Sequence, residues 1–188
     1  MPRPKTRPDT DILEAALQLM QRHGADKLTF STLAAATGLS PSTLVQRFAS
    51  KDAMAKAALN HAWDRLDADT AQFSASVDRT PSGALQLLVQ LSGSYGDIDS
   101  YADGLLLLRE DIRDPVLRQR GVRWGQALTI AVNECFEQTP NAPGNIGRLL
   151  ITQWQGALLW WSFQPEEPVP VYVEKALTAF VEALALSR

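Results

Sequence analysis

The chain has 188 residues, 45% hydrophobic and 21% charged, with a net charge of −3: an ordinary balance for a folded protein, and enough length to bury a core in one or two domains. A single cysteine, Cys135, and two histidines exclude an internal disulfide framework and a cysteine-rich zinc site, and no apolar run nears the roughly 18 residues of a membrane span. The charge is unevenly shared, since residues 1–51 hold seven Lys/Arg against four Asp/Glu and the other 137 hold 11 against 17, a split that points to a polyanion-binding module joined to something else.

In chain order, "MPRPKTRPDT" has no apolar h-region, so no secretory signal is expected and the cytoplasm suits the chain. Its Arg3, Lys5 and Arg7, spaced by prolines, form a basic arm suited to a minor groove or a phosphate backbone. The first helix places Ile12, Ala15, Ala16 and Leu19 on one face, with Asp9 or Thr10 as its N-cap and Gly24 as its stop. A long helix runs from Asp52 to about residue 75, and "DRTPSG" at 78–83 ends it. Leu88, Leu91 and Tyr95 line the next helix, and Tyr101, Leu105, Leu108 and Ile112 the one after. Asp114-Pro115 caps and opens a helix that carries Leu117, Trp124, Leu128 and Cys135. Two last helices span about 144–163 and 168–186, the second amphipathic through Val173, Leu177, Phe180, Val181 and Leu184. The fold class is all-α, with about nine helices and no internal repeat.

Residues 31–48 break this pattern of long amphipathic helices. A short helix, 31–37, is followed by the turn "GLS", where glycine permits a positive φ and Leu39 plugs the core. Ser40 caps a second short helix with Pro41 at its first position. Leu44 and Phe48 face inward, leaving Ser42, Thr43, Val45, Gln46 and Arg47 outward. This is a helix-turn-helix, whose second helix must be slim and polar enough to offer hydrogen bonds in a major groove about 12 Å wide. By position Thr43, Val45 and Gln46 read base edges, with Gln46 suited to adenine and Val45 to a thymine methyl, while Arg47 reaches a phosphate or guanine. Ser40, Ser42 and the N–H groups that open the helix favour a phosphate.

Gly24, Thr29, Gly38, Ser40, Thr43, Phe48, Lys51 and Asp52 together resemble the TetR family of bacterial one-component regulators over about residues 8–60. The resemblance implies a three-helix DNA-binding head within residues 1–51 continuing into helix four, and a regulatory and dimerisation domain over 52–188. It makes Lys51 a phosphate clamp, with Thr29 assisting. It also implies a homodimer built on the last two helices, for which we expect Trp160, Leu177, Phe180, Val181 and Leu184 at the interface. Two positions depart from the family: Val45 and Arg47 stand where aromatics are usual.

For an effector, the polar and aromatic groups on otherwise apolar helices are Tyr95, Tyr101, Arg109, Trp124, Trp154 and Gln155, and they suit a small apolar or aromatic molecule. The expected function is a ligand-responsive repressor that binds palindromic operator DNA as a homodimer, without cofactor, metal or membrane. Alternatives of the same fold are an activator or a scaffold that has lost DNA binding. A small helical enzyme fits poorly: Glu110-Asp111 point apart on a helix, "PEEP" is a loop, and no His/Glu pair has metal-ligand spacing.

Overall fold

The computed structural model describes residues 7–184, and among them every regular element is helical. Helix α1 (Asp9–His23) follows Pro8 at its N-cap. Neither Asp9 nor Thr10 caps it, contrary to expectation, because both already lie in the first turn. Gly24, at φ +81°, ends the helix and returns its N–H to the Met20 carbonyl. A single 3₁₀ turn (Ala25–Lys27) leads to α2 (Phe30–Thr37), where Thr29 and Thr32 exchange backbone and hydroxyl hydrogen bonds in a reciprocal cap. Gly38, left-handed at φ +72°, separates α2 from α3 (Pro41–Phe48). Then come α4 (Lys51–Ser76), α5 (Pro81–Ser92), a 3₁₀ turn (Gly93–Tyr95), α6 (Ile98–Arg113), α7 (Pro115–Glu134), α8 (Ile146–Phe163) and α9 (Val169–Ala183).

Two compact units result: residues up to 65 with 103–119, and 66–102 with 120 onward. The first unit closes on Ile12, Ala16, Met20, Leu28, Leu33, Leu44 and Met54, all fully buried. Leu39 and Phe48 pack against this core, so both short helices are seated by the residues expected to seat them. Within this unit the stripe Leu105, Leu108, Ile112 is a correction. These residues are 42%, 47% and 56% exposed. The inward face of α6 is instead carried by Leu107 and by Asp111, whose carboxylate accepts the Trp63 indole N–H at 3.0 Å. Asp114 does cap α7, accepting from the Val116 and Leu117 N–H groups, and it also pairs with Lys56 at 3.1 Å.

The second unit is built around Leu87, Leu88, Leu128, Val132, Leu150, Trp154, Leu158, Val173 and Leu177. Two of its indole N–H groups are matched in relays. The Trp154 indole donates to the Ser92 hydroxyl, which donates to the Leu88 carbonyl. Trp124 does the same through Thr70 to Leu66. Each relay satisfies an indole N–H that would otherwise be lost to water on burial. Gly147 sits where a Cβ would stand 2.5 Å from the Thr129 carbonyl, so α8 crosses α7 at a distance only glycine permits.

Candidate nucleic-acid interface

Helix α3 has only eight residues, and one of them, Leu44, is fully buried. Phe48 packs against the same core, and the rest of the helix is half-buried or exposed. At its start the Ser40 hydroxyl accepts the Thr43 N–H at 3.1 Å and lies 2.8 Å from the hydroxyls of both Ser42 and Thr43. Three hydroxyls and the Ser42 N–H thus lie together at one helix end, an arrangement that favours an anion. Pro41 occupies the first helical position, where its missing N–H costs nothing. Beyond the cap, Val45 is 44% exposed and Gln46 is exposed, with Thr43 half-buried between them and the hydroxyl cluster.

The helix ends abruptly. Ala49 adopts φ +61°, ψ −47°, and the Ser50 N–H returns to the Phe48 carbonyl at 2.6 Å, a γ-turn of the strained, positive-φ kind. It delivers the chain into α4, where Lys51 Nζ donates to the Asp26 carbonyl at 2.9 Å. A carbonyl does not neutralise an ammonium, so Lys51 is oriented while keeping its charge. Thr29 commits its hydroxyl to the cap of α2.

Arg47 is placed differently from the reading of it as a base or phosphate contact. Its Nη1 donates to Asp9 Oδ1 at 2.7 Å and to the Arg7 carbonyl at 2.8 Å. Asp9 carries no signal in the sequence beyond its place in the first helical turn; its partner is 38 residues away. Arg3 and Lys5 lie outside the described residues, and Arg7 is exposed at their boundary.

The effector candidates do not form one site. Tyr95 and Tyr101 meet edge to face at 5.4 Å, and Tyr101 meets Trp161 at 6.0 Å. Trp161 is outside the expected set. Burial, with a smaller contribution from Tyr101, pushes the Tyr95 phenol up to about 12, and burial also raises Tyr101. Trp124 and Trp154 form a second pair at 6.3 Å. Gln155 is exposed. Arg109 belongs to the other compact unit, where it pairs with its neighbour Glu110 at 3.2 Å. Two surface grooves of about 460 and 510 Å³ share Ser82, Leu85 and Thr178 of α5 and α9, and none of the six candidates lines them.

Of the five expected interface residues, Leu177 and Val181 are 0% and 3% exposed, packed inside the core of their own unit. Phe180 is half-buried against that core. Trp160 is 67% and Leu184 37% exposed. Leu149, Leu159 and Phe163, outside the expected set, share the open side of α8 with Trp160. The Trp160 and Phe163 rings meet at a tilt of 51°, with centroids 5.8 Å apart.

A short polar helix, seated by two apolar residues behind a glycine turn, is a helix-turn-helix arrangement. Residues 12–58 match the model of bacterial regulatory proteins, tetR family. Solved structures share the fold over nearly the whole chain. The TetR-family regulator PfmR from Thermus thermophilus is 20% identical, with a TM-score of 0.63 over 92% of this chain and 96% of that one. A TetR-family member from Streptomyces coelicolor is 21% identical, with a TM-score of 0.66 over 92% and 98%. A protein from Saccharomonospora viridis, solved in complex with choline, is 20% identical, with a TM-score of 0.71 over 91% and 93%. Comparison with curated proteins gives no match. The resemblance read from the sequence is thus borne out: the head carries the tetR-family pattern, and the chain has the fold of TetR-type transcriptional regulators. No helix among the described residues is long and apolar enough to cross a membrane.

Proposed function

We propose that this chain is a ligand-responsive transcriptional repressor that binds a palindromic DNA operator as a homodimer and is released by a small apolar or aromatic effector. The observation that carries the DNA-binding part is the seating of α3. Leu44 is buried and Phe48 packs behind it, while Thr43, Val45 and Gln46 stand outward between the Ser40 hydroxyl cluster and Lys51. Polar readers in the middle with phosphate-binding groups at both ends is the arrangement a major-groove helix requires. In this reading residues 1–51 contact DNA and residues 52–188 regulate and dimerise.

The dimer in this reading forms through the open side of α8, with the Trp160–Phe163 pair as anchor. Large exposed aromatics in contact are the groups that dominate interface energies. For the effector, the reading keeps an apolar or aromatic molecule, and the faces of aromatic rings also attract ammonium groups. Choline, bound in the S. viridis neighbour, is therefore a sensible first probe. The effector would act by shifting the population between dimer states with different separations of the two heads.

Two measurements test this reading. Analytical ultracentrifugation should find a dimer in the wild type and monomer in Trp160→Glu with its helical signal intact; a dimer persisting in that variant removes α8 from the interface. Duplex binding titrated against salt should weaken steeply as counterions compete, whereas a chain that ignores DNA at every salt concentration is no DNA-binding regulator.

A further inference from the structure

The two grooves between α5 and α9 share Ser82, Leu85 and Thr178, so they form one trough, wholly within the second compact unit. Its ends differ in charge. At one end stands Arg79, paired with Glu134 at 2.6 Å. At the other end Gln90 of α5 faces Glu174 of α9. The Gln90 side-chain carbonyl is buried and has no hydrogen-bond partner among the described residues. Such an acceptor has given up water on folding and received nothing in return. Gln90 also lies in the last turn of α5, where the negative end of the helix dipole favours a cation. Glu174 is exposed, with no cation paired to it among the described residues. Between the two ends, Leu85 and Val89 are half-buried and keep part of their apolar surface open to the trough.

We propose that this trough binds a primary alkylammonium ion, with the ammonium between Gln90 and Glu174 and the hydrocarbon chain along Val89 and Leu85. The terminal torsion of a glutamine is soft, so a partial turn of the Gln90 amide brings its carbonyl to the ligand without disturbing α5. The ammonium then donates to an acceptor that lacked a donor and meets a carboxylate that lacked a cation. A charge-assisted hydrogen bond of this kind is stronger than a neutral one. The chain covers apolar surface, and few polar groups beside an apolar floor is the usual make-up of a small-molecule site. A quaternary ammonium meets the carboxylate but has no N–H for Gln90. An alkyl carboxylate is repelled by Glu174, and Arg79 at the far end is already neutralised by Glu134. None of the six effector candidates lines the trough, so the proposal depends neither on them nor on DNA binding.

The test is isothermal titration calorimetry on the full-length chain at neutral pH, with n-hexylamine as the probe. Hexyltrimethylammonium, which keeps the charge and loses every N–H, is the comparison. Hexylamine should bind one per chain and about tenfold more tightly than the quaternary ion. Glu174→Gln should weaken both cations about two- to fivefold, as expected of an exposed ion pair. Gln90→Met should weaken hexylamine about tenfold and leave the quaternary ion within about twofold. Without ligand, the Tm of Gln90→Met should equal or exceed that of wild type, because the orphaned acceptor is gone. A wild type that binds no hexylamine, or holds both cations equally, overturns the proposal without recourse to any variant. So does a Gln90→Met chain that melts lower without ligand, since its carbonyl then has a partner in the protein. Unchanged affinity in Glu174→Gln would likewise place the ammonium elsewhere. No DNA enters the experiment, so each of these failures leaves the DNA-binding reading standing.

Discussion

At the scale of single residues, two positions in the first compact unit hold unfavourable conformations or charges whose relief can be measured. Ala49, at φ +61° and ψ −47°, sits in backbone space that costs a residue with a Cβ about 1–3 kcal/mol. Glycine relieves that strain and loses part of the gain to its greater freedom in the unfolded chain. Ala49→Gly should therefore stabilise the protein by up to about 1 kcal/mol, or a few degrees in a thermal melt; a lower Tm would mean that the turn is not strained. Asp111 is the second. Burial pushes its carboxyl up to about 6, partly opposed by the Trp63 N–H and reinforced by Asp114 and Glu110. A carboxyl whose folded pKa lies above its unfolded value favours folding below the unfolded pKa, and that contribution is lost as pH rises through about 6. Asp111→Asn keeps an acceptor for Trp63 and removes the charge. Its Tm advantage over wild type should be near zero at pH 4 and reach a plateau above pH 7. Solvent screening at this half-exposed site should keep the gain under about 1 kcal/mol. An advantage that does not change with pH would show that Asp111 is not the titrating group.

At the scale of elements, α3 and the opening of α4 divide the work between reading and holding. Gln46→Ala should change which bases a selected duplex carries at one or two positions of each half-site and cost about 1–3 kcal/mol on the original sequence. Lys51→Ala should weaken binding to all sequences alike and lower the salt slope by about one. If both variants kept affinity and preference, α3 would not be the reading helix. The ends of these helices are legible in the sequence because their signals are local: Gly24, Gly38, Ser40-Pro41 and Asp114-Pro115 act on their immediate neighbours. Facing is legible only where one side of a helix is much more apolar than the other. Helix α6 offers Leu105, Leu108 and Ile112 in helical register, yet it turns Leu107 and Asp111 inward. Periodicity identifies a stripe without saying what covers it. The same limit puts Leu177 and Val181 at a partner's surface when they belong to their own core. Arg47 escapes a reading from sequence for a related reason, since its partners Arg7 and Asp9 are neighbours only in the folded head.

At the scale of the whole molecule, the division into a basic first quarter and an acidic remainder agrees with one part that meets a polyanion and another that does not. The central claim is that two copies of the head read one palindrome, and selection from a randomised duplex pool at moderate salt tests it most directly. The account predicts enrichment of an inverted repeat whose half-sites lie about one helical turn, 34–36 Å, or a multiple of it apart. A folded dimer that enriches no sequence, alone or with choline and other candidate effectors present, would contradict it.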